Sequence, residues 1–168
     1  HRKKGYQIPE AGRTAKGTNI VNILPLEPGE TVTAGITVHE FDDDNLMFVT
    51  KQGTVKRVLL SSLNTARKAG IRALTLNEGD ELIAVMKTNG ENNILLATRD
   101  GFAICFNESD VRVMGRDAAG VKGITLLDGD EVVGAGIAEP GKQLLTVTEL
   151  GYGKRTEMNE YLRLDETG

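Results

Sequence analysis

Two basic dipeptides occupy the same place in the chain's internal phrasing. Lys56-Arg57 follows Gly53, and Lys154-Arg155 follows Gly151, at the same offset. Adjacent ammonium and guanidinium groups repeated in this way suit contact with phosphates. The same pairs could instead solvate a hairpin edge and block edge-to-edge pairing. The middle copy reads Ile104-Cys105, so Arg99, Arg112 and Arg116 are the cations left to serve there. Further cations fall in three glycine-flanked stretches, "GRTAKG" (12–17), "NTARKAG" (64–70) and "MGRDAAG" (114–120). These supply Arg13, Lys16, Arg67, Lys68 and Arg116, which either contact phosphate or tie their loops together by donating to backbone carbonyls. Lys122 completes the candidate set.

Other chemistries find little support. One cysteine, Cys105, allows no internal disulfide, and two histidines with it make a His/Cys metal cage implausible. Asp42-Asp43-Asp44 lacks the alternating spacing of a calcium loop and reads as a solvated tip. "GYGKRT" lacks the spacer of a phosphate loop, and the "NES" at Asn107 carries no weight in a cytoplasmic protein. Tyr6, Tyr152 and Tyr161 have no companion groups that would make a nucleophile. Aromatic residues are 4% with no Trp, too few for a base-stacking platform. No apolar run reaches the length of a membrane span, and no signal peptide is visible. The expectation is a cytoplasmic, non-enzymatic chain with no cofactor and no metal. The formal net charge of −4 argues against nucleic acid when taken alone, but net charge hides distribution.

The elements that must position these groups come from a repeat. "EGDELIAV" (78–85) returns as "DGDEVVGA" (128–135), and a looser "PGETVTAG" sits at 28–35, so Gly29, Gly79 and Gly129 are spaced by 50 residues. "LMFVTKQGTVKR" (46–57), "ILLATRDGFAIC" (94–105) and "LLTVTELGYGKR" (144–155) form a second repeated element, each an apolar run, a Thr, a turn with Gly and a second run. Residues 31–38 alternate, with Val32, Ala34, Ile36 and Val38 on one face, which predicts a half-covered strand. Residues 46–49 and 94–97 are continuously apolar, which predicts strands covered on both faces. Gly53, Gly101 and Gly151 suit hairpin turns, whereas Gly35, Gly134 and Gly136 inside strands suggest close backbone approach.

The spacing therefore predicts an all-β chain of stacked units, each of four short antiparallel strands, because one unit alone cannot bury both its faces. The units are a remainder over 1–27, repeats over 28–77 and 78–127, and a truncated repeat over 128–168. About three periods form an open arc, not a closed ring. Shared cores should contain Val32, Ile36, Val38, Leu46, Phe48, Leu95, Ala97, Leu145 and Val147. The acidic turns carry Glu27, Glu30, Glu78, Asp80, Glu81, Asp128, Asp130 and Glu131 and read as tight turns. Acidic and basic positions differ in phase, so stacking should separate them onto different rims.

"IPEAGRTAKGTNIVNILPLEPGE" (8–30), "VRVMGRDAAGVKGI" (111–124) and "GYGKRTEMNEY" (151–161) closely resemble the C-terminal domain of DNA gyrase A, over essentially the whole chain. The resemblance implies a β-pinwheel, a propeller-like disc of which this chain would hold about three blades, with strands exchanged between neighbours. It implies a perimeter that binds and wraps duplex DNA non-specifically in support of negative supercoiling. It implies a parent that is an ATP-dependent type II topoisomerase, an isomerase of the bacterial nucleoid, assembled with gyrase B and a second copy of gyrase A. The related C-terminal domain of topoisomerase IV is the alternative, and a protein-interaction propeller is the rival of another class. The glutamine-, arginine- and glycine-rich box of gyrase and the domain with the active-site tyrosine are not in this sequence, which reads as a fragment. The DNA-binding expectation falls on Arg13, Lys16, Lys56, Arg57, Arg67, Lys68, Arg99, Arg116, Lys122, Lys154 and Arg155.

Overall fold

The computed structural model describes residues 3–7, 10, 13–16, 24, 28, 32–33, 35–36, 38–65, 67, 70–147 and 152–157. Among them every regular element longer than one 3-10 turn is a strand: β1 (Asn45–Thr50), β2 (Thr54–Leu59), β3 (Leu82–Thr88), β4 (Asn93–Thr98), β5 (Ala103–Asn107), β6 (Val121–Lys122), β7 (Val132–Ala138), β8 (Gln143–Val147) and β9 (Gly153–Glu157). They form three antiparallel sheets, in the orders β3-β1-β2-β6, β5-β4-β7 and β8-β9.

Each sheet is built on a hairpin from one copy of the second repeated element. In the first two, the backbone reverses at a glycine in the left-handed region, Gly53 at φ +87° and Gly101 at φ +90°. The threonine before each of these turns closes it: the Thr50 hydroxyl accepts from the Thr54 amide, and Thr98 from the Phe102 amide. Flanking strands arrive from later in the chain. β3 adds to β1, β7 adds to β4, and β6 adds to the outer edge of β2. Residues 120–138 thus place one strand in the first sheet and the next in the second, so neighbouring sheets exchange strands.

The repeated acidic phrase locks this exchange. Asp80 accepts from the amides of Gln52 at the preceding hairpin tip (2.9 Å) and Glu81 (2.9 Å). Asp130 does the same one repeat later, for Asp100 (3.0 Å) and Glu131 (2.8 Å). The turns are more than plain tight turns, since their last aspartate ties each incoming strand to the tip it must reach.

The cores lie between sheets. Met47, Val49 and Val55 of the first sheet meet Ile94, Leu96 and Val132 of the second. Leu46, Phe48, Val58 and Leu60 pack on the opposite face of the first sheet. β1 is buried along its whole length, as its unbroken apolar run predicts. Of the expected core, Leu46, Phe48 and Leu95 are buried, and Val38 and Ala97 are half-buried. Val32, Ile36 and Leu145 are exposed instead, and the side chain of Val147 is outside the described residues.

Residues 32–33, 35–36 and 38 form no strand. β3 and β7, the later copies of this stretch, each pair with the first strand of the hairpin that precedes them, β1 and β4. The strand glycines also differ from expectation: nothing lies within 4 Å of a Cβ built on Gly35, Gly134 or Gly136. Close approach occurs beside β6, where a Cβ on Gly120 would fall 2.7 Å from the Val55 carbonyl oxygen and one on Gly123 2.5 Å from Val55 Cγ1.

Candidate nucleic-acid interface

The first basic dipeptide sits on β2, where successive side chains point to opposite faces of the sheet. Lys56 is fully buried. Its Nζ donates to the carbonyls of Ala73 (2.9 Å) and Arg116 (2.6 Å). Burial pushes the ammonium below the usual lysine value, and Asp117 partly offsets this. Arg57 turns the other way, and its Nη1 donates to the carbonyls of Glu108 (3.2 Å) and Val111 (3.0 Å). Its Nε lies 3.6 Å from the carboxylate of Glu108, an ion pair without a hydrogen bond at that nitrogen.

Glu108 is itself fully buried. It accepts from the Thr88 hydroxyl (2.5 Å) and from the amides of Gly90 (2.7 Å) and Asn92 (2.9 Å). It thereby holds the link between β3 and β4 at the point where the chain passes from the first sheet to the second.

These placements correct the expectation that Lys56 and Arg57 form a rim contact. Both are enclosed because residues 108–122 run along β2 and cover it. Arg99 is also engaged: it pairs with Glu131 (3.7 Å) and Asp100 (3.9 Å) and donates to the Gly129 carbonyl. Lys51 pairs with Glu131 (3.3 Å), so the acidic turns neutralise the cations of the hairpin tips. Donation to backbone carbonyls, the alternative role expected of the loop cations, is instead the arrangement of Lys56, Arg57 and Arg99.

The accessible cations lie in loops and on β6 and β9. Arg13, Lys16, Arg67, Arg112, Arg116, Lys122, Lys154 and Arg155 are all exposed. None has an ion-pair partner among the described residues, where Lys51, Arg57, Lys87, Arg99 and Lys142 are the cations that pair with carboxylates. Lys68 lies outside the described residues. Arg116 and Lys122 come together along β2: the Arg116 carbonyl rests on Lys56, and Lys122 lies opposite Thr54 in the strand register. Lys154 and Arg155 stand apart on the β8-β9 hairpin.

Arg72 belongs with these residues, although the sequence reading does not single it out. It is exposed and unpaired among the described residues. Its signal is present in the repeat, because "GIRALTL" (70–76) over "GVKGITL" (120–126) aligns Arg72 with Lys122.

Residues 4–39, 44–89, 92–139 and 142–164 match the model of the family described as DNA gyrase C-terminal domain, beta-propeller. The chain belongs to the DNA gyrase C-terminal domain family. It is 48% identical over 165 residues to the DNA gyrase A protein of Lawsonia intracellularis and 47% identical over 172 residues to that of Staphylococcus epidermidis. It spans about a fifth of the length of these relatives, 20% and 19%. Among solved structures it resembles the C-terminal domain of DNA topoisomerase IV, with a TM-score of 0.83 at 29% identity over 92% of this chain and 49% of that one. It also resembles the DNA gyrase A C-terminal domain, with a TM-score of 0.75 at 29% identity over 86% of this chain and 48% of that one. The repeated hairpins and exchanged strands are thus this family's propeller-like blades.

Proposed function

We propose that this chain binds duplex DNA through its phosphates and bends it along successive blades, as a wrapping segment of a gyrase A protein. One observation carries the reading: in a chain of net charge −4, the exposed Arg13, Lys16, Arg67, Arg72, Arg112, Arg116, Lys122, Lys154 and Arg155 have no carboxylate partner among the described residues, while the hairpin-tip cations Lys51 and Arg99 have one. Unpaired, hydrated cations exchange condensed counterions for contacts without first breaking an ion pair. Phosphate contacts give position without sequence readout. Smooth bending of a 20 to 30 base-pair site costs about 1–6 kcal/mol, so several contacts must offset it.

The family membership supports a parent that is a gyrase A protein of a type II topoisomerase, working in the bacterial cytoplasm with gyrase B and a second copy of gyrase A. Identities near half to gyrase A favour gyrase over topoisomerase IV. The higher TM-score to the topoisomerase IV domain does not reverse this, because both solved structures are 29% identical to the chain.

The test is a titration of the whole chain with two unrelated duplexes at several salt concentrations. The expected result is similar affinity for both, with the logarithm of affinity falling by about 0.9 per phosphate contact for each unit of log salt. Absence of salt-dependent binding would overturn the reading, and salt-insensitive capture of a protein would favour an interaction propeller.

A further inference from the structure

Lys56 is a fully buried cation with no carboxylate within ion-pair distance among the described residues. Its stem shares a sheet face with Phe48 and Val58. A methionine would fill similar space without a desolvated charge. What the ammonium adds is its pair of acceptors, the carbonyls of Ala73 and Arg116. These belong to the connecting stretches of two successive repeats, so one ammonium joins loops 43 positions apart in sequence. Beside the first acceptor stands Arg72, and the second acceptor is the carbonyl of Arg116 itself. Both arginine side chains are exposed. The neighbouring acid, Asp117, acts on the buried ammonium and forms no ion pair with either arginine among the described residues.

We propose that Lys56 is a positioning residue that holds two loops on one ammonium and so sets Arg72 and Arg116 side by side as a two-arginine seat for duplex phosphates. Fixing the loops in advance lowers the ordering cost of binding. The seat needs two successive repeats, since each repeat supplies one arginine. The proposal rests on the DNA-binding reading above.

The experiment measures salt slopes with two duplexes for the whole chain carrying Arg72→Gln, Arg116→Gln, both, Lys56→Met, or all three. Each arginine substitution should lower the slope by about 0.9. Lys56→Met should lower it comparably to the double arginine variant although Lys56 has no exposed surface, and the triple variant should match Lys56→Met. A merely structural Lys56 would lower the melting temperature and leave the slope of the folded protein unchanged, which overturns the positioning role. If Lys56→Met does not fold, the cycle of the two arginine variants decides: side-by-side guanidiniums lose affinity non-additively, and additive losses overturn the proposal. Wild-type slopes in both arginine variants, with salt-dependent binding by the parent chain, sink the seat alone. Absence of salt-dependent binding by the parent chain sinks the reading beneath it.

Discussion

Lys56-Arg57 and Lys154-Arg155 follow their hairpin glycines at one offset, yet the first pair is enclosed and the second exposed. The strands themselves are alike, each the second arm of an antiparallel hairpin. The difference is what lies on them. β2 has β1 on one edge and β6 on the other, and residues 108–118 reach its side chains through the carbonyls of Glu108, Val111 and Arg116. Among the described residues β9 pairs with β8 alone. Phase within a repeat places a side chain on a strand, and chain from later repeats decides whether that side chain meets solvent.

The largest effect should come from the contact that encloses Arg57. Glu108→Ala removes the buried carboxylate beside Arg57 and leaves the Gly90 and Asn92 amides and the Thr88 hydroxyl unsatisfied. Removing one member of a buried pair costs about 3–5 kcal/mol. Arg57→Ala should approach that loss, whereas Arg155→Ala should change stability by no more than about 0.5 kcal/mol. Urea unfolding of the three variants checks this. Equal losses at Arg57 and Arg155 would break the comparison.

Much of the fold is legible in the sequence because it depends on short-range pattern. The hairpins follow from an apolar run, a threonine and a glycine, and the 50-residue period announces stacked units. The site is less legible. Adjacent residues on a strand face opposite sides, so Lys56 and Arg57 cannot share one face of the sheet, and that much is readable from the residues. Their enclosure is not, because the covering carbonyls come from residues 73, 108, 111 and 116, remote in sequence and chemically anonymous. The acidic phrase reads as a turn, but the reach of its aspartate to another hairpin has no local signature.

A smaller effect should come from that aspartate. Asp80→Ala leaves the Gln52 and Glu81 amides without their acceptor, at a cost of about 1–3 kcal/mol. Asp130 is the counterpart one repeat on. Desolvation raises its carboxyl pKa, but hydrogen bonds with Thr98, Asp100 and Glu131 and the charge of Arg99 together hold it below its ordinary value of 3.8. A carboxyl depressed in the folded state contributes stability that is present above that ordinary value and lost as pH falls through the folded one. Asp130→Asn should therefore flatten the loss of stability below pH 3.8, measured by thermal unfolding against pH. An unchanged acid profile would show that the clasp is not where that sensitivity resides.

The smallest effect on stability should accompany the clearest effect on binding. Lys154 and Arg155 are both exposed, but they lie on β9 with their side chains on opposite faces of the hairpin. A duplex lying against one face reaches one of them. Lys154→Gln and Arg155→Gln should each leave the melting temperature nearly unchanged. One should lower the salt slope of DNA binding by about 0.9, and the other should leave it near the parent value. The double variant should match the active single variant. A drop of about one for each and about two for both would mean that the duplex runs along the strand edge and meets both residues, so that β9 contributes its rim and not its face. If neither variant moves the slope while Arg72→Gln and Arg116→Gln do, accessibility alone does not make a contact. The DNA path would then follow the loops that cross β2, and the exposed pair on β9 would serve only to solvate its hairpin.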